Sequence, residues 1–199
     1  LNKGTLVSGK ADFRVSSANN ERTGHFDVNV GWKKWAMLTS FSSFDFDHLM
    51  QGTNGPEDYL SPFHVQRQDS ADIVVYQEDE RLQIPTAYSQ KNFMQKLRYS
   101  PNKAWDINYA LHYSETSPYG RYDRHNRTRN GLPRYAEWNY GPQVWMMNHL
   151  QIEHSGSNAF YDQMNISLAY QNFEESRIDR AFQGDVRSTQ TEQVAASSI

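Results

Sequence analysis

The sequence predicts an all-β fold, in which antiparallel strands form part of a transmembrane β-barrel. Three observations support this prediction: strands with one apolar face, connections that alternate between short and long, and a low content of apolar residues. The clearest strand covers residues 105–114, WDINYALHYS, whose odd-numbered residues are apolar or aromatic and whose even-numbered residues are polar or small. Successive side chains of a strand point to opposite faces. An apolar face with an aromatic residue at each end is typical of a strand that faces lipid.

The composition fits one domain with a wet interior. The chain has 199 residues, of which 37% are hydrophobic and 14% aromatic, and this length favours a single domain. The net charge of -3 is too small to indicate a nucleic-acid partner. The absence of cysteine excludes a disulfide framework and a thiolate metal site. No apolar run reaches the roughly 18 residues of a transmembrane helix.

Seven strands are predicted from the alternation of apolar and polar residues. They cover residues 5–16, 25–32, 35–46, 92–99, 105–114, 144–153 and 161–171. In the third strand, both faces carry large apolar residues: Trp35, Met37 and Phe41 on one, and Leu38, Phe44 and Phe46 on the other. The sequence therefore does not decide which face of this strand is the lipid-facing one. The chain is polar from residue 172 onward, and residues 193–199 are predicted to begin an eighth strand.

The connections between these strands alternate in length. Short turns are predicted at Lys33-Lys34, 100–103 and 155–158, whereas residues 47–90, 117–142 and those after 171 form long connections. The first long connection contains a candidate hairpin, with strands at 63–68 and 73–77. Tight periplasmic turns and long outer loops produce this alternation in outer-membrane barrels.

The number of predicted strands implies that the sheet is incomplete. Seven or eight strands leave bare edges, and unpaired backbone groups in lipid cost several kcal/mol each. We therefore expect residues 1–199 to form part of one larger barrel domain, or to pair with strands located elsewhere.

Several stretches, in the same order along the chain, resemble TonB-dependent outer-membrane receptors. They are SSANNE (16–21) with WKKW (32–35), NGPEDY (54–59), NFMQKLRYSP (92–101), RYDR (121–124) with NGLP (130–133), YGPQ (140–143) and YQNFEESR (170–177). The resemblance implies a section from the first half of a barrel of about 22 strands whose lumen holds a plug. The family's N-terminal plug, with its TonB-contacting segment, and the later barrel strands have no counterpart here. The family imports scarce, bulky nutrients such as ferric siderophores, haem or cobalamin.

This resemblance also implies a location and a set of partners. The location is the outer membrane of a Gram-negative bacterium, where the barrel wall contacts lipid and lipopolysaccharide. The partners are the imported ligand, a ferric chelate, haem or cobalamin, and TonB itself, which is reached through the plug.

The segment 117–142 is the richest in recognition groups. Arginine offers a planar fork for carboxylate or phosphate and stacks on aromatic rings, which supply rigid contact area. The predicted ligand-binding residues are Arg121, Tyr122, Arg124, His125, Arg127, Arg129, Arg134, Tyr135 and Trp138. The alternative is that the arginines pair with acidic groups and lipopolysaccharide phosphates, while the aromatic residues belong to the interfacial girdle.

No catalytic or metal motif is evident, so we predict neither an enzyme nor a cofactor. The seven histidines show no recognised metal-ligand spacing. His25, His112 and His149 lie on polar strand faces and are expected to line the lumen.

Two other functions use the same strand pattern. A soluble, aromatic-rich β-sandwich that binds carbohydrate would bring the apolar strand faces together in one core. An outer-membrane enzyme, such as a barrel phospholipase or protease, would need a nucleophile with an ordered base, and no spacing provides that pair.

Overall fold

The computed structural model describes residues 4–157 and 159–199, and these residues form an antiparallel β protein. The all-β prediction is therefore confirmed. The described residues contain sixteen strands, one 3-10 turn (Glu57–Tyr59) and one short helix, α1 (Tyr122–His125). The strands are β1 (Leu6–Ser16), β2 (Glu21–Trp32), β3 (Trp35–Phe46), β4 (Leu49–Met50), β5 (Phe63–Gln68), β6 (Ala71–Tyr76), β7 (Leu82–Gln83), β8 (Tyr88–Asn102), β9 (Trp105–Thr116), β10 (Tyr119–Gly120), β11 (Thr128–Arg129), β12 (Leu132–Pro133), β13 (Tyr135–Tyr140), β14 (Gln143–Ser155), β15 (Gln163–Ala181) and β16 (Arg187–Ser198).

One ten-stranded sheet contains all of the long strands. Its order is β1-β2-β3-β8-β9-β14-β15, with β16 on the far side of β15. β13 pairs with β15 just beyond the end of β14, and β10 pairs with β13 just beyond the end of β9. The sheet therefore continues past the point at which β9 and β14 end. The remaining strands form three two-stranded sheets within the long connections.

Several predicted boundaries were wrong, and most of the errors lie at one end of this sheet. The seventh strand runs to Ala181 rather than ending at residue 171, and the eighth covers Arg187–Ser198 rather than beginning at residue 193. The long connection expected after residue 171 is only five residues, 182–186. The segment 117–142 is not a simple loop, because β10 and β13 belong to the main sheet. In the second half of β15 and in most of β16, polar side chains occupy both faces, so the alternation that marks the other long strands is absent there.

The connections 33–34, 103–104 and 156–162 lie together at one end of the sheet, which we call the turn end. The third is seven residues long rather than the predicted 155–158, and Asn158 of that prediction lies outside the described residues. Ser100 N donates to Lys34 O at 2.8 Å, and Ser155 N donates to Ala104 O at 2.8 Å. The second turn follows Asn102 rather than occupying residues 100–103, because β8 includes Ser100 and Pro101 around a bulge. The long connections lie at the opposite end, which we call the loop end.

One face of the main sheet is apolar across seven strands. Residues directly opposite each other in paired strands share a face. The register aligns Val7, Val30, Met37, Leu97, Tyr109, Leu150 and Leu168 in one row across β1, β2, β3, β8, β9, β14 and β15.

The register settles the facing of β3. Met37 belongs to the apolar row, and Trp35 and Phe41 therefore lie on the same face. The rings of Trp35 and Tyr99 stack with centroids 4.3 Å apart, and those of Phe26 and Phe41 are 5.8 Å apart. Leu38, Phe44 and Phe46 consequently lie on the opposite, polar face.

The apolar face is open rather than packed. Phe13 is 76% exposed and Trp35 is 44% exposed, although both are large hydrophobic residues. Among the described residues, the buried hydrophobic side chains are only Phe63, Ala110, Ala136 and Ile178. The fold thus has no second large sheet against its apolar face within the described ranges.

Two polar groups on this apolar face are hydrogen-bonded to neighbours on the same face. Gln95 accepts a hydrogen bond from Thr39 Oγ1 at 2.7 Å, and Asn148 accepts one from Tyr109 OH at 2.6 Å. A polar group removed from water costs free energy unless it is paired, so these contacts let both amides lie among apolar side chains.

Candidate functional site

The predicted recognition segment is built onto the loop end of the sheet. Arg121 N donates to Trp138 O at 3.1 Å, directly after the two-residue pairing of β10 with β13. A Cβ added at Gly120 would collide with the ring and carbonyl of Pro85, so the close approach of the two connections requires glycine at this position. The helix α1 follows and packs beside β13.

Arg121, Arg124 and Trp138 form a cationic aromatic cluster. The two guanidinium carbons lie 5.2 and 5.3 Å from the centroid of the Trp138 ring, a range in which cations are attracted to the ring face. Arg121 binds Asp123 through two hydrogen bonds of 2.9 and 2.7 Å, which raise the pKa of the guanidinium. Arg124 has no carboxylate partner among the described residues, and its buried Nε has no hydrogen-bond partner there. The free cation of this cluster is therefore Arg124.

A row of five aromatic rings leads from this cluster along the loop end of the sheet. The row begins at Phe46 and continues through Tyr88, Tyr119 and Tyr140 to Trp138. Successive centroids are separated by 4.8, 5.7, 5.5 and 5.4 Å. Phe46 and Tyr88 were not predicted site residues, although each lies at the end of a long strand beside a long connection.

His125 is a buried part of the loop structure. It is 4% exposed, and its Nε2 accepts a hydrogen bond from Trp138 N at 3.2 Å, on the edge of β13 away from β15 and just beyond the end of β10. Burial lowers the pKa of His125, which favours the neutral imidazole. In this position the ring closes the edge of β13 rather than facing solvent.

The other predicted residues are distributed around the cluster. Arg127, Arg129 and Arg134 are exposed and have no carboxylate partner in the described part of the chain, and Arg134 lies over the ring of Tyr135, 5.0 Å from its centroid. Tyr122 is half-buried, and burial raises its pKa. The structure thus brings Arg121, Tyr122, Arg124, His125 and Trp138 together.

Arg127 and Arg129 are held on a separate hairpin. Its turn contains Asn130 and Gly131 with φ of 54° and 79°, the positive values that a two-residue hairpin turn requires. The hairpin therefore presents its arginines apart from the cluster.

The first long connection is fastened to the sheet by a buried ion pair. Asp72 on β6 accepts two hydrogen bonds of 2.8 Å from Arg180 on β15, and a further one of 3.0 Å from Arg67. The Asp72 side chain is fully buried and Arg180 is 8% exposed. The Arg180 guanidinium, helped by Arg67 and the backbone N of Gln183, holds the pKa of Asp72 well below its usual range.

This ion pair extends into a network on the sheet. Arg180 Nε donates to Glu137 Oε1 at 3.0 Å, and Arg187 Nε donates to Glu137 Oε2 at 2.8 Å. The two arginines lower the pKa of Glu137 despite its partial burial. We call the set Asp72, Arg180, Glu137 and Arg187 the loop clamp.

A second contact joins the two long connections directly. Ser61 is fully buried, and its hydroxyl donates to Asn126 Oδ1 at 3.0 Å, while Asn126 Nδ2 donates to Leu60 O at 3.0 Å. The cluster at α1 therefore rests on residues of the first long connection.

A groove of about 630 Å³ lies on the polar face nearer the turn end. The side chains that line it include Asn29, Lys96, Asn108, His112 and His149. As predicted from their positions in the strands, His112 and His149 lie on this polar face.

The described ranges contain neither a cluster of metal-ligating side chains nor a helix that could span a membrane. No group of three or more His, Cys, Asp or Glu side chains is arranged to hold a metal ion. No helix there has the length and apolar character needed to cross a membrane.

Comparison of the chain with family models, with curated proteins and with solved structures found no match.

Proposed function

We propose that this chain is a section of the barrel wall of a TonB-dependent outer-membrane receptor. Such a receptor imports a scarce, bulky nutrient of the ferric siderophore, haem or cobalamin class, with TonB as its energising partner. The observation that carries the proposal is the broad, exposed apolar face of a single antiparallel sheet. In water, an exposed apolar patch of this breadth is unfavourable, whereas in hydrocarbon it is the expected outer surface of a barrel.

The dimensions of the sheet support a membrane setting. In β9, the apolar face extends from Trp105 to Tyr113, which is nine residues. A tilted strand needs about 9–11 residues to cross the hydrocarbon layer. Trp35, Tyr99 and Trp105 lie near the turn end, where an interfacial aromatic girdle is expected. Hydrogen bonds pair the Gln95 amide and the side-chain oxygen of Asn148, which would otherwise face lipid unpaired.

The loop end supports the role of a ligand-capture surface. It presents Arg124, Arg127, Arg129 and Arg134 without carboxylate partners among the described residues, beside a row of aromatic rings. Guanidinium groups bind anionic oxygens through paired hydrogen bonds, and aromatic rings add flat contact area. An anionic chelate with planar groups fits this combination.

The soluble carbohydrate-binding sandwich lacks comparable support. It requires a second sheet that covers the apolar face, whereas all of the long strands described here belong to one sheet. Within residues 4–157 and 159–199, no pair of facing sheets favours a sandwich.

Placing a charge on the apolar face tests the membrane assignment. Leu111→Arg should destabilise the assembled protein by about 2–4 kcal/mol, since the side chain would lie near the middle of the bilayer. Asn108→Arg, on the polar face of the same strand, is the matched control and should have little effect. The measurement is reversible unfolding in lipid vesicles. Equal stability of the two variants would remove the basis for a lipid-facing surface.

Removing the loop-end cations tests ligand capture. Arg121, Arg124 and Arg129 are replaced together with Ala in the full receptor, and uptake of ferric siderophores, haem and cobalamin is measured in cells. Uptake of one ligand should fall while the amount of folded receptor is unchanged. The control replaces Lys33, Lys34 and Lys103, three cations at the turn end, with Ala. Unaltered uptake of all three ligands in the arginine variant would leave the loop without a role in capture.

A further inference from the structure

Some charged side chains near the polar-face groove have ion-pair or hydrogen-bond partners, and others have none among the described residues. Carboxylates elsewhere on the same polar face have partners: Asp12 with Lys10, Asp27 with His25 and Asn29, Asp106 with Arg98 and Asn108, and Glu153 with Gln151. The side chains of Lys96 and His112 have neither a hydrogen bond nor an ion pair within the described part of the chain. The groove therefore contains basic groups that no carboxylate of this sheet neutralises.

The register places three basic residues around one small residue. Lys96 and His149 are both paired with Ala110, from opposite sides, so their Cα atoms are separated by two strand spacings, about 10 Å. His112 is the next residue along the same face of β9, about 7 Å from Ala110. Ala110 is 9% exposed and forms the floor between them. A methyl group at the centre leaves space that larger side chains would fill.

One hydrogen bond fixes part of this arrangement. His149 Nε2 lies 2.9 Å from Ser167 Oγ, which holds the imidazole toward β15. The His112 ring lies beside Trp145, with centroids 6.0 Å apart. Both rings are thus positioned at the wall of the groove, while the flexible Lys96 ammonium is free to meet a bound group.

We infer that this groove contains an anion-binding site, formed by Lys96, His112 and His149, that takes a carboxylate or phosphate group of a small ligand. Charge-assisted hydrogen bonds from ammonium and imidazole are the interactions that such oxygens favour. The volume of about 630 Å³ accommodates the body of a small molecule as well as its anionic group. The site requires only the groove itself, and it is separate from the arginine cluster at the loop end.

Calorimetric titration of the protein purified in detergent tests this site, with inorganic phosphate and citrate as probes and maltose as a neutral comparison. At least one anion should bind saturably, and added salt should weaken the binding. Lys96→Gln should weaken it about tenfold or more, since it removes a charged donor. Lys96→Arg keeps the charge and should retain most of the affinity, which separates a direct role from a folding defect.

The matched control is Lys91→Gln, on the same strand but on the opposite face. It should change the affinity by less than about twofold, because its side chain does not reach the groove. Two results would overturn the assignment. One is that Lys96→Gln and Lys91→Gln weaken saturable binding equally, and the other is that neither phosphate nor citrate binds. These outcomes are independent of the Leu111→Arg experiment, so failure here and failure of the membrane proposal can be told apart.

Discussion

The loop clamp gives the sharpest prediction about stability. Asp72→Asn keeps the size and shape of the side chain but removes the charge that faces Arg180. The substituted amide can accept from the guanidinium only through its single oxygen, and its NH2 group would face the Arg180 donors. The hairpin of β5 and β6 should therefore detach from β15 more often.

The magnitude follows from the burial of the pair. Removing one partner of a buried ion pair costs about 3–5 kcal/mol, because the other charge is left without compensation. Here Arg180 retains Glu137 at 3.0 Å, which places the expected cost at the lower end, near 3 kcal/mol. This corresponds to an increase of about a hundredfold in the population of the open hairpin.

Native-state hydrogen exchange measures this opening residue by residue. The amide of Gln183, which donates to Asp72 Oδ2 at 2.7 Å, should lose protection together with the amides of β6. Asp79→Asn is the matched control in the same connection, because the Asp79–Arg81 pair is solvent-exposed and contributes little. An increase in exchange of less than about tenfold in Asp72→Asn, or one that matches the control, would refute the reasoning.

Three further predictions follow from individual contacts. The pKa of Asp72 is lowered in the folded state, so the stability that its ion pair contributes should be fully present above about pH 5 and lost as the pH falls toward the lowered pKa. Acid titration of exchange protection in β6 checks this. Tyr109→Phe should destabilise the protein in vesicles by about 1–2 kcal/mol, because it leaves Asn148 unpaired on the apolar face; unchanged unfolding would mean that water reaches this amide. Gly120→Ala should loosen the contact with Pro85 and increase proteolysis of the two long connections, and wild-type resistance would show that the backbone accommodates the methyl group.

The sequence was informative wherever the two faces of a strand differ. The alternation in residues 105–114 identified β9 because one face is apolar and the other polar. The same contrast identified the start of β15 but not its continuation to Ala181. In that continuation, polar residues such as Glu174, Glu175 and Arg177 occupy both faces of the strand. Backbone hydrogen bonds to β16 and β13 maintain the strand there. Such pairing between distant segments produces no alternation of apolar and polar residues in the sequence of β15 itself.

The sequence predicted which segment supplies the residues of the candidate site, but not how these residues are arranged in space. The concentration of arginine and aromatic residues identified the segment that contains Arg121, Arg124 and Trp138. Phe46 and Tyr88 joined the aromatic row through the spatial order of β3 and β8, which local sequence does not encode. The burial of His125 likewise depends on β13, thirteen residues further along, whose exposed edge it closes.

The loop clamp also constrains the order in which the chain assembles. Asp72 and Arg180 are 108 residues apart, so the β5–β6 hairpin remains undocked until β15 has joined the sheet. A chain halted after β9 would leave the Asp72 carboxylate and Phe63 exposed to solvent and to proteases. Locking of the two long connections is therefore a late event, and a nascent or truncated chain should be recognisable by cleavage between β5 and β6.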